Sequence, residues 1–151
     1  MTTIGEVCMR DVIVGTSELT VAAAAKLMRQ HHVGSLVVVD RVSGGLGIPL
    51  GIVTDRDIVV EVTATDLDPN TMTVGDIMRE ELFTVRADAG ALEAMQIMRF
   101  KGVRRLPVVT EEGHLVGLVA FDDLLVLLTE RLSELAKVVG REQMREVTAR
   151  K

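Results

Sequence analysis

Two short phrases hold most of the residues in this 151-residue chain that could do chemistry: Gly51-Ile52-Val53-Thr54-Asp55-Arg56-Asp57 and Gly117-Leu118-Val119-Ala120-Phe121-Asp122-Asp123. The first gathers a hydroxyl, two carboxylates and a guanidinium; the second keeps two carboxylates and has no hydroxyl. Paired carboxylates can act as general acid and base, but a helix start accounts for them at less cost. Thr54 or Asp55 can cap the helix that follows, and acids in a first turn complement its dipole. Other catalytic constellations are missing: there is no Gly-x-x-x-x-Gly-Lys, no Gly-x-Ser-x-Gly, no dinucleotide fingerprint and no Cys/His pair of plausible spacing. Cys8 is the only cysteine, so an intrachain disulfide and a thiolate metal cluster are both excluded, and a buried, inert thiol is expected. His31 and His32 invite a metal reading. Neighbours on a regular helix point about 100° apart and cannot share one ion, so a cationic pair at a helix C-terminus is expected and no metal site.

These phrases recur because the elements around them recur. Val21 to Gln30 sets Val21, Ala24, Ala25, Leu27 and Met28 on one helical face behind Thr20 as N-cap; Ala91 to Phe100 answers with Leu92, Met95, Ile97 and Met98. Ala24 matches Ala94 and Met28 matches Met98, an offset of 70. Leu36-Val37-Val38-Val39 answers Leu106-Pro107-Val108-Val109 at the same offset, and both read as strands buried on two faces. Leu50–Val53 answers Val116–Val119 at an offset of 66, so the first hairpin carries four extra residues within the Gly-rich, flexible stretch 41–49 where the second has only 111–114. A helix starts after each phrase, over Asp57–Val62 and from Asp122 to about Val147, with Gly140 as its candidate break. Each unit opens on a turn ending in Met-Arg (Met9-Arg10 and Met78-Arg79), and residues 65–73 read as a linker. The organisation is a first repeat at 4–64, a second at 74–128 and a helical extension at 129–151. The fold class is α+β: two β-α-β-β-α repeats about a pseudo-twofold axis, each covering the other's apolar face.

Composition narrows the function classes. With three Phe, no Trp and no Tyr, aliphatic residues, Ala and the eight Met must fill the core. A net charge of −5 with so few aromatics argues against nucleic acid, which needs a basic surface and stacking platforms. The longest apolar run, Leu124 to Leu128, is far short of a membrane span, and the N-terminus has no signal-peptide pattern. A cytoplasmic protein is expected.

With the duplicated layout, the Met-Arg openings, the Leu-(Pro/Val)-Val strands and the Gly-h-h-(Thr/Ser)-x-x-Asp endings in order, the chain resembles a tandem pair of cystathionine-β-synthase (CBS) domains over roughly residues 4 to 128, a stand-alone module. The resemblance implies two clefts between the repeats, each able to hold an adenosine-containing ligand. It implies that the Asp carboxylate accepts from ribose hydroxyls and that the Thr/Ser hydroxyl donates to phosphate. A carboxylate suits a vicinal diol, since it only accepts. The helix start adds N–H groups and a positive dipole end beside the phosphate.

Carried onto this sequence, the main cleft comprises Thr54, Arg56 and Asp57, completed by Arg79, Leu82, Phe83 and Val103-Arg104-Arg105-Leu106-Pro107. Val103 and Leu106 would clamp a purine, and the arginines would meet phosphate. The second cleft comprises Ala120 and Asp123 with Arg10, Ile13, Val33, Gly34 and Ser35. It has lost the hydroxyl and faces no arginine pair, so it is expected to be empty or weak. The resemblance implies a non-enzymatic sensor with no cofactor, whose regulatory ligand is AMP first, with ATP, ADP, NAD or S-adenosylmethionine behind. The alternative is a ligand-free scaffold or oligomerisation module that binds a protein partner. The apolar row Leu124, Leu125, Leu128, Leu132, Leu135, Val138 and Val139 points to a homodimer.

Overall fold

The computed structural model describes residues 2–41, 45–79 and 81–150. Its elements are α1 (Ile4–Val7), β1 (Val14–Gly15), α2 (Val21–His31), β2 (Ser35–Val39), β3 (Pro49–Thr54), α3 (Asp55–Ile58), α4 (Val74–Ile77), β4 (Val85–Arg86), α5 (Ala91–Lys101), β5 (Arg105–Val109), β6 (Leu115–Ala120) and α6 (Phe121–Ala149); α3 runs on into a π-helical segment, Val59–Thr63. The strands form two three-stranded sheets, β1-β2-β3 and β4-β5-β6. In each, a parallel outer pair adjoins an antiparallel hairpin, and the hairpin register slips at equivalent places, Val38/Val39 and Val108/Val109. The central strands β2 and β5 are buried almost throughout, as continuous β-branched runs require.

Each sheet packs a helix on one face, with Ala24 and Met28 over Leu36, Val38 and Val53, and Ala94 and Met98 over Leu106, Val108 and Val119. The other faces meet across the seam, where Val37 and Val39 pack on Leu115 and Leu118. The opening turns are exchanged. Ile4 of α1 lies in the core of the second repeat, and Ile4 N and Gly5 N donate to Ala89 O and Ala87 O, each at 2.8 Å. Val74 of α4 lies in the core of the first repeat, and Val74 N and Gly75 N donate to Leu19 O (2.8 Å) and Ser17 O (3.0 Å).

That exchange gives the phrase glycines their purpose. A Cβ on Gly117 would sit 2.6 Å from both Met9 O and Cys8 Sγ; one on Gly51 would sit 2.9 Å from Met78 Sδ and 3.3 Å from Arg79 O. Each phrase thus begins where an opening turn lies against the strand, too close for a side chain; the turns align as Cys8-Met9 and Met78-Arg79, so the two Met-Arg pairs expected to match are one residue out of register.

Several expectations are corrected. α6 passes through Gly140 without a break, because one glycine costs a helix of 29 residues only about 1 kcal/mol and nothing crowds it. Leu92 is exposed and lies off the buried stripe of Ala94 and Met98. Leu124 is 2% exposed and belongs to the core of its own repeat, so it is no part of the outward apolar row. Met9 and Met144 are exposed rather than core filler. In the first hairpin, residues 42–44 lie outside the described residues, while Asp40 Oδ1 ties its two ends by accepting from Arg41 N (2.9 Å) and Ile48 N (2.8 Å).

The close approach at Gly117 predicts that Gly117→Ala, which must push backbone rather than a flexible side-chain tip, destabilises the protein by ~1–3 kcal/mol. Gly140→Ala, in open space on a helix, should instead favour the folded form by up to about 1 kcal/mol. Urea unfolding monitored by circular dichroism checks both signs.

Candidate functional site

The first phrase closes a capping box at the start of α3. Thr54 Oγ1 accepts from Asp57 N at 3.1 Å, and Asp57 Oδ2 accepts from Thr54 N at 2.9 Å. Both side chains are half-buried and held facing the seam by the end of β3. Beside them lies a cavity of about 260 Å³ whose walls come from both repeats. Ile52, Thr54, Asp55, Arg56 and Asp57 form one side, Arg79, Glu81, Leu82 and Phe83 the segment leading to β4, and Gly102, Val103, Arg104 and Arg105 the entry to β5. The volume is close to the ~300 Å³ at which small-molecule pockets begin.

Nine of the eleven residues expected for the main cleft therefore line one cavity: Thr54, Arg56, Asp57, Arg79, Leu82, Phe83, Val103, Arg104 and Arg105. Leu106 and Pro107 do not. Leu106 points into the core of the second repeat, since residues along a strand alternate faces, and Pro107 is buried within β5. The apolar surface offered to a ring comes instead from Ile52, Leu82, Phe83 and Val103. Asp55, Glu81, Gly102 and Ile52 were missed. Ile52 carried a signal, because it sits two residues before Thr54 on a strand and so shares its face.

Four guanidinium groups (Arg56, Arg79, Arg104, Arg105) meet three carboxylates (Asp55, Asp57, Glu81) around the cavity. Arg104 is already engaged: its Nη2 lies 3.4 Å from Asp122 Oδ1, and its guanidinium sits 5.1 Å from the Phe121 ring centroid. Both partners of this ion pair are largely solvent-exposed, so the pairing is weak and leaves Arg104 free to turn toward an anion. Lys101 Nζ lies 4.8 Å over the Phe83 ring and adds a cation beside the cleft wall.

The second set is arranged differently. Asp123 Oδ2 accepts from Ala120 N at 2.9 Å, but Ala120 has no hydroxyl to return the bond. Arg10 donates to Gly5 O at 2.8 Å. Arg10 and Asp123 both act on the half-buried Cys8 thiol, which burial pushes above its ordinary pKa; the guanidinium opposes that shift and the carboxylate adds to it. Gly34 and Ser35 stand beside Asp55 and Thr54, Ser35 pairing with Thr54 across the hairpin, and Ile13 packs on the first repeat's core. Val33 follows α2 as Val103 follows α5. The segment itself is sealed, with Met9 and Leu118 exchanging two backbone hydrogen bonds of 2.9 Å. Among the described residues no such exchange joins Arg79 to Ile52, the equivalent pair, and there the cavity lies.

Among the described residues no group of three or more His, Cys, Asp or Glu is placed to hold a metal. His31 ends α2, and His32 takes the left-handed conformation (φ 54°) that Gly102 (φ 66°) takes after α5. Both histidines are exposed. No helix among the described residues is long and apolar enough to cross a membrane.

Two exchanged β-α-β-β-α units with a polar cleft at their seam define a tandem-repeat module. The chain belongs to the CBS domain family, whose pattern it matches twice, at residues 4–64 and 74–130. It is 39% identical over 122 residues to an uncharacterized protein of Methanopyrus kandleri, covering 81% of this chain but only 60% of that relative's length. It is 38% identical over 127 residues to hypoxic response protein 1 of Mycobacterium tuberculosis, covering 82% of this chain and 83% of the relative. The crystal structure of a hypoxic response protein I, solved with two coordinated zinc ions, superposes with a TM-score of 0.69 at 36% identity over 82% of this chain and 97% of that one. At 24% identity the fold is shared with a CBS domain pair in complex with 5′-methylthioadenosine and S-adenosylmethionine (TM-score 0.74; 87% of this chain, 98% of that one). It is shared equally with a CBS domain protein of Pyrobaculum aerophilum complexed with AMP (TM-score 0.73; 85% and 99%).

The unequal caps predict opposite effects on stability without any ligand. Thr54→Ala should lose about 0.5–2 kcal/mol as Asp57 N loses its acceptor, and Ala120→Thr should gain on the same scale by giving Asp123 N one. Thermal melting of the two variants checks the pair.

Proposed function

We propose that this chain is a sensor, not an enzyme, that binds an adenine nucleotide in the Thr54/Asp57 cleft, with AMP ahead of ATP, ADP, NAD and S-adenosylmethionine. The observation that carries this is a hydroxyl and a carboxylate, fixed by one capping box, facing four arginines across an apolar-walled cavity. Asp57 Oδ2 is taken by Thr54 N; among the described residues no donor reaches Oδ1, which is left for a ribose diol. The arginines favour phosphate over the sulfonium and ammonium of S-adenosylmethionine. AMP and S-adenosylmethionine in CBS pairs of this fold support the ligand class. Occupancy would bias the relative placement of the repeats, because the cavity draws its walls from both.

We also infer a homodimer, carried by the outward row Leu125, Leu128, Leu132, Leu135, Val138 and Val139, all exposed in the single chain. Spacing of three and four residues along α6 makes this a continuous seam, too large a patch to leave in water. A hexameric CBS-CP12 protein among the structures of this fold, at 30% identity and a TM-score of 0.71 over 83% of this chain and 70% of that one, supports self-association of such a module. A protein partner on the same row, with the cleft empty, is the scaffold alternative.

Three results are expected. AMP should bind more tightly than adenosine, and Thr54→Ala should narrow the difference by about 1–2 kcal/mol; equal binding of both ligands to the wild type would remove the phosphate assignment. Asp57→Ala should cost about 1.5–3 kcal/mol, or roughly 10- to 150-fold in affinity, with a smaller loss for Asp123→Ala; titration calorimetry reads both. Light scattering at tens of micromolar should give twice the chain mass, and Leu132→Lys should return the monomer.

A further inference from the structure

The two halves superpose by a constant offset of 70 from α1 and α4 through β2 and β5, with one exception. β1 spans Val14–Gly15, so β4 would fall at 84–85; it lies instead at Val85–Arg86, one residue late. In the first repeat Val37 N donates to Ile13 O at 2.9 Å, and Val14 pairs with Val37. The equivalent donor in the second repeat is the nitrogen of Pro107, which carries no hydrogen. Pairing therefore begins only at Val85 with Val108, and Ala87 N donates to Val109 O at 2.9 Å to extend it at the far end. Among the described residues, no donor reaches Phe83 O, the counterpart of Ile13 O. Phe83 and the residues leading up to it, Arg79, Glu81 and Leu82, are the ones that line the cavity. On the other side of the seam, where Val37 supplies its N–H, the segment from Met9 is bonded down against Leu118.

We propose that Pro107 is a positioning residue that decides which of the two clefts is open. It touches no ligand. By withholding one N–H from β5 it leaves Phe83 O unbonded and the residues Glu81–Phe83 off the sheet edge, and the nucleotide cleft is the space this leaves. The inference rests on the nucleotide reading of that cleft and adds the cause of its asymmetry. It also separates Pro107 from the residues lining the cavity, although its substitution acts on the same binding.

The test restores the missing donor. Pro107→Val reproduces the residue present at position 37, and Pro107→Ala supplies the same N–H with a different side chain. In both ligand-free variants the new amide at position 107 should be protected from deuterium exchange, as the counterpart of the Val37 amide that donates to Ile13 O in the first repeat. AMP should bind both variants at least tenfold more weakly, with melting temperature unchanged or raised. A freely exchanging amide at position 107, or a protected one with AMP affinity unchanged, would overturn the proposal. If the wild type binds no AMP, the nucleotide reading falls, while protection of the amide at position 107 in the variants still decides whether Pro107 withholds a bond from this segment.

Discussion

The structure depends on the exchange of its two opening turns. α1 docks on the second repeat and α4 on the first, each through a pair of backbone hydrogen bonds of 2.8 to 3.0 Å and one wholly buried aliphatic side chain, Ile4 or Val74. Neither repeat can complete its core alone, since each lends the other a side chain buried at 0% exposure. The chain must then cross the seam twice, between α1 and β1 and between α4 and β4. Those two crossings are the segments that can wall a cleft. A site at the seam is therefore a consequence of the exchange, and its position follows from connectivity before any ligand-binding residue is considered.

Exchange by itself would make two equal clefts. Single residues break the equality. At 120 an alanine stands where 54 has threonine, removing the hydroxyl. At 104 and 105 two arginines stand where 34 and 35 have glycine and serine, so cationic charge gathers on one side. At 121 a phenylalanine stands where 55 has aspartate, and Arg104 lies over its ring instead of over a carboxylate. Each difference points the same way: the first cleft is the more polar and the more cationic. Outside the seam the asymmetry continues, because the first repeat ends its last helix at Thr63 while the second extends to Ala149.

Much of this was legible in the sequence, for a physical reason. The repeat offset is a periodicity of types, and burial enforces types: Ala24 and Ala94, Met28 and Met98, and the four-residue strands all face cores. The cleft lining was mostly legible too, because the phrase and the turn after α5 lie on opposite sides of one seam. What failed were judgements about which face a side chain takes. Leu106 was placed in the cleft but alternation turns it inward, and Leu92 was placed on a buried stripe although it projects into water with Phe100, 86% exposed. The exchange itself left only one trace, the phrase glycines Gly51 and Gly117, whose need for space against an opening turn cannot be told from a turn requirement without coordinates.

A Thr54 that caps its helix can still serve as the proposed phosphate donor. A hydroxyl has one hydrogen and two lone pairs. Oγ1 spends a lone pair on Asp57 N, which leaves its O–H to donate outward. Asp57 likewise commits Oδ2 to Thr54 N and keeps a second oxygen. The two cleft-facing groups are thus fixed relative to each other by the same bonds that start α3, so little side-chain freedom would remain to be lost on binding. The second phrase has only half of that device: Asp123 is held by Ala120 N, but no side-chain oxygen holds Asp123 N in return. Capping and the proposed recognition draw on the same residue pair, because the geometry that satisfies a helix start also sets a donor and an acceptor side by side at the positive end of its dipole.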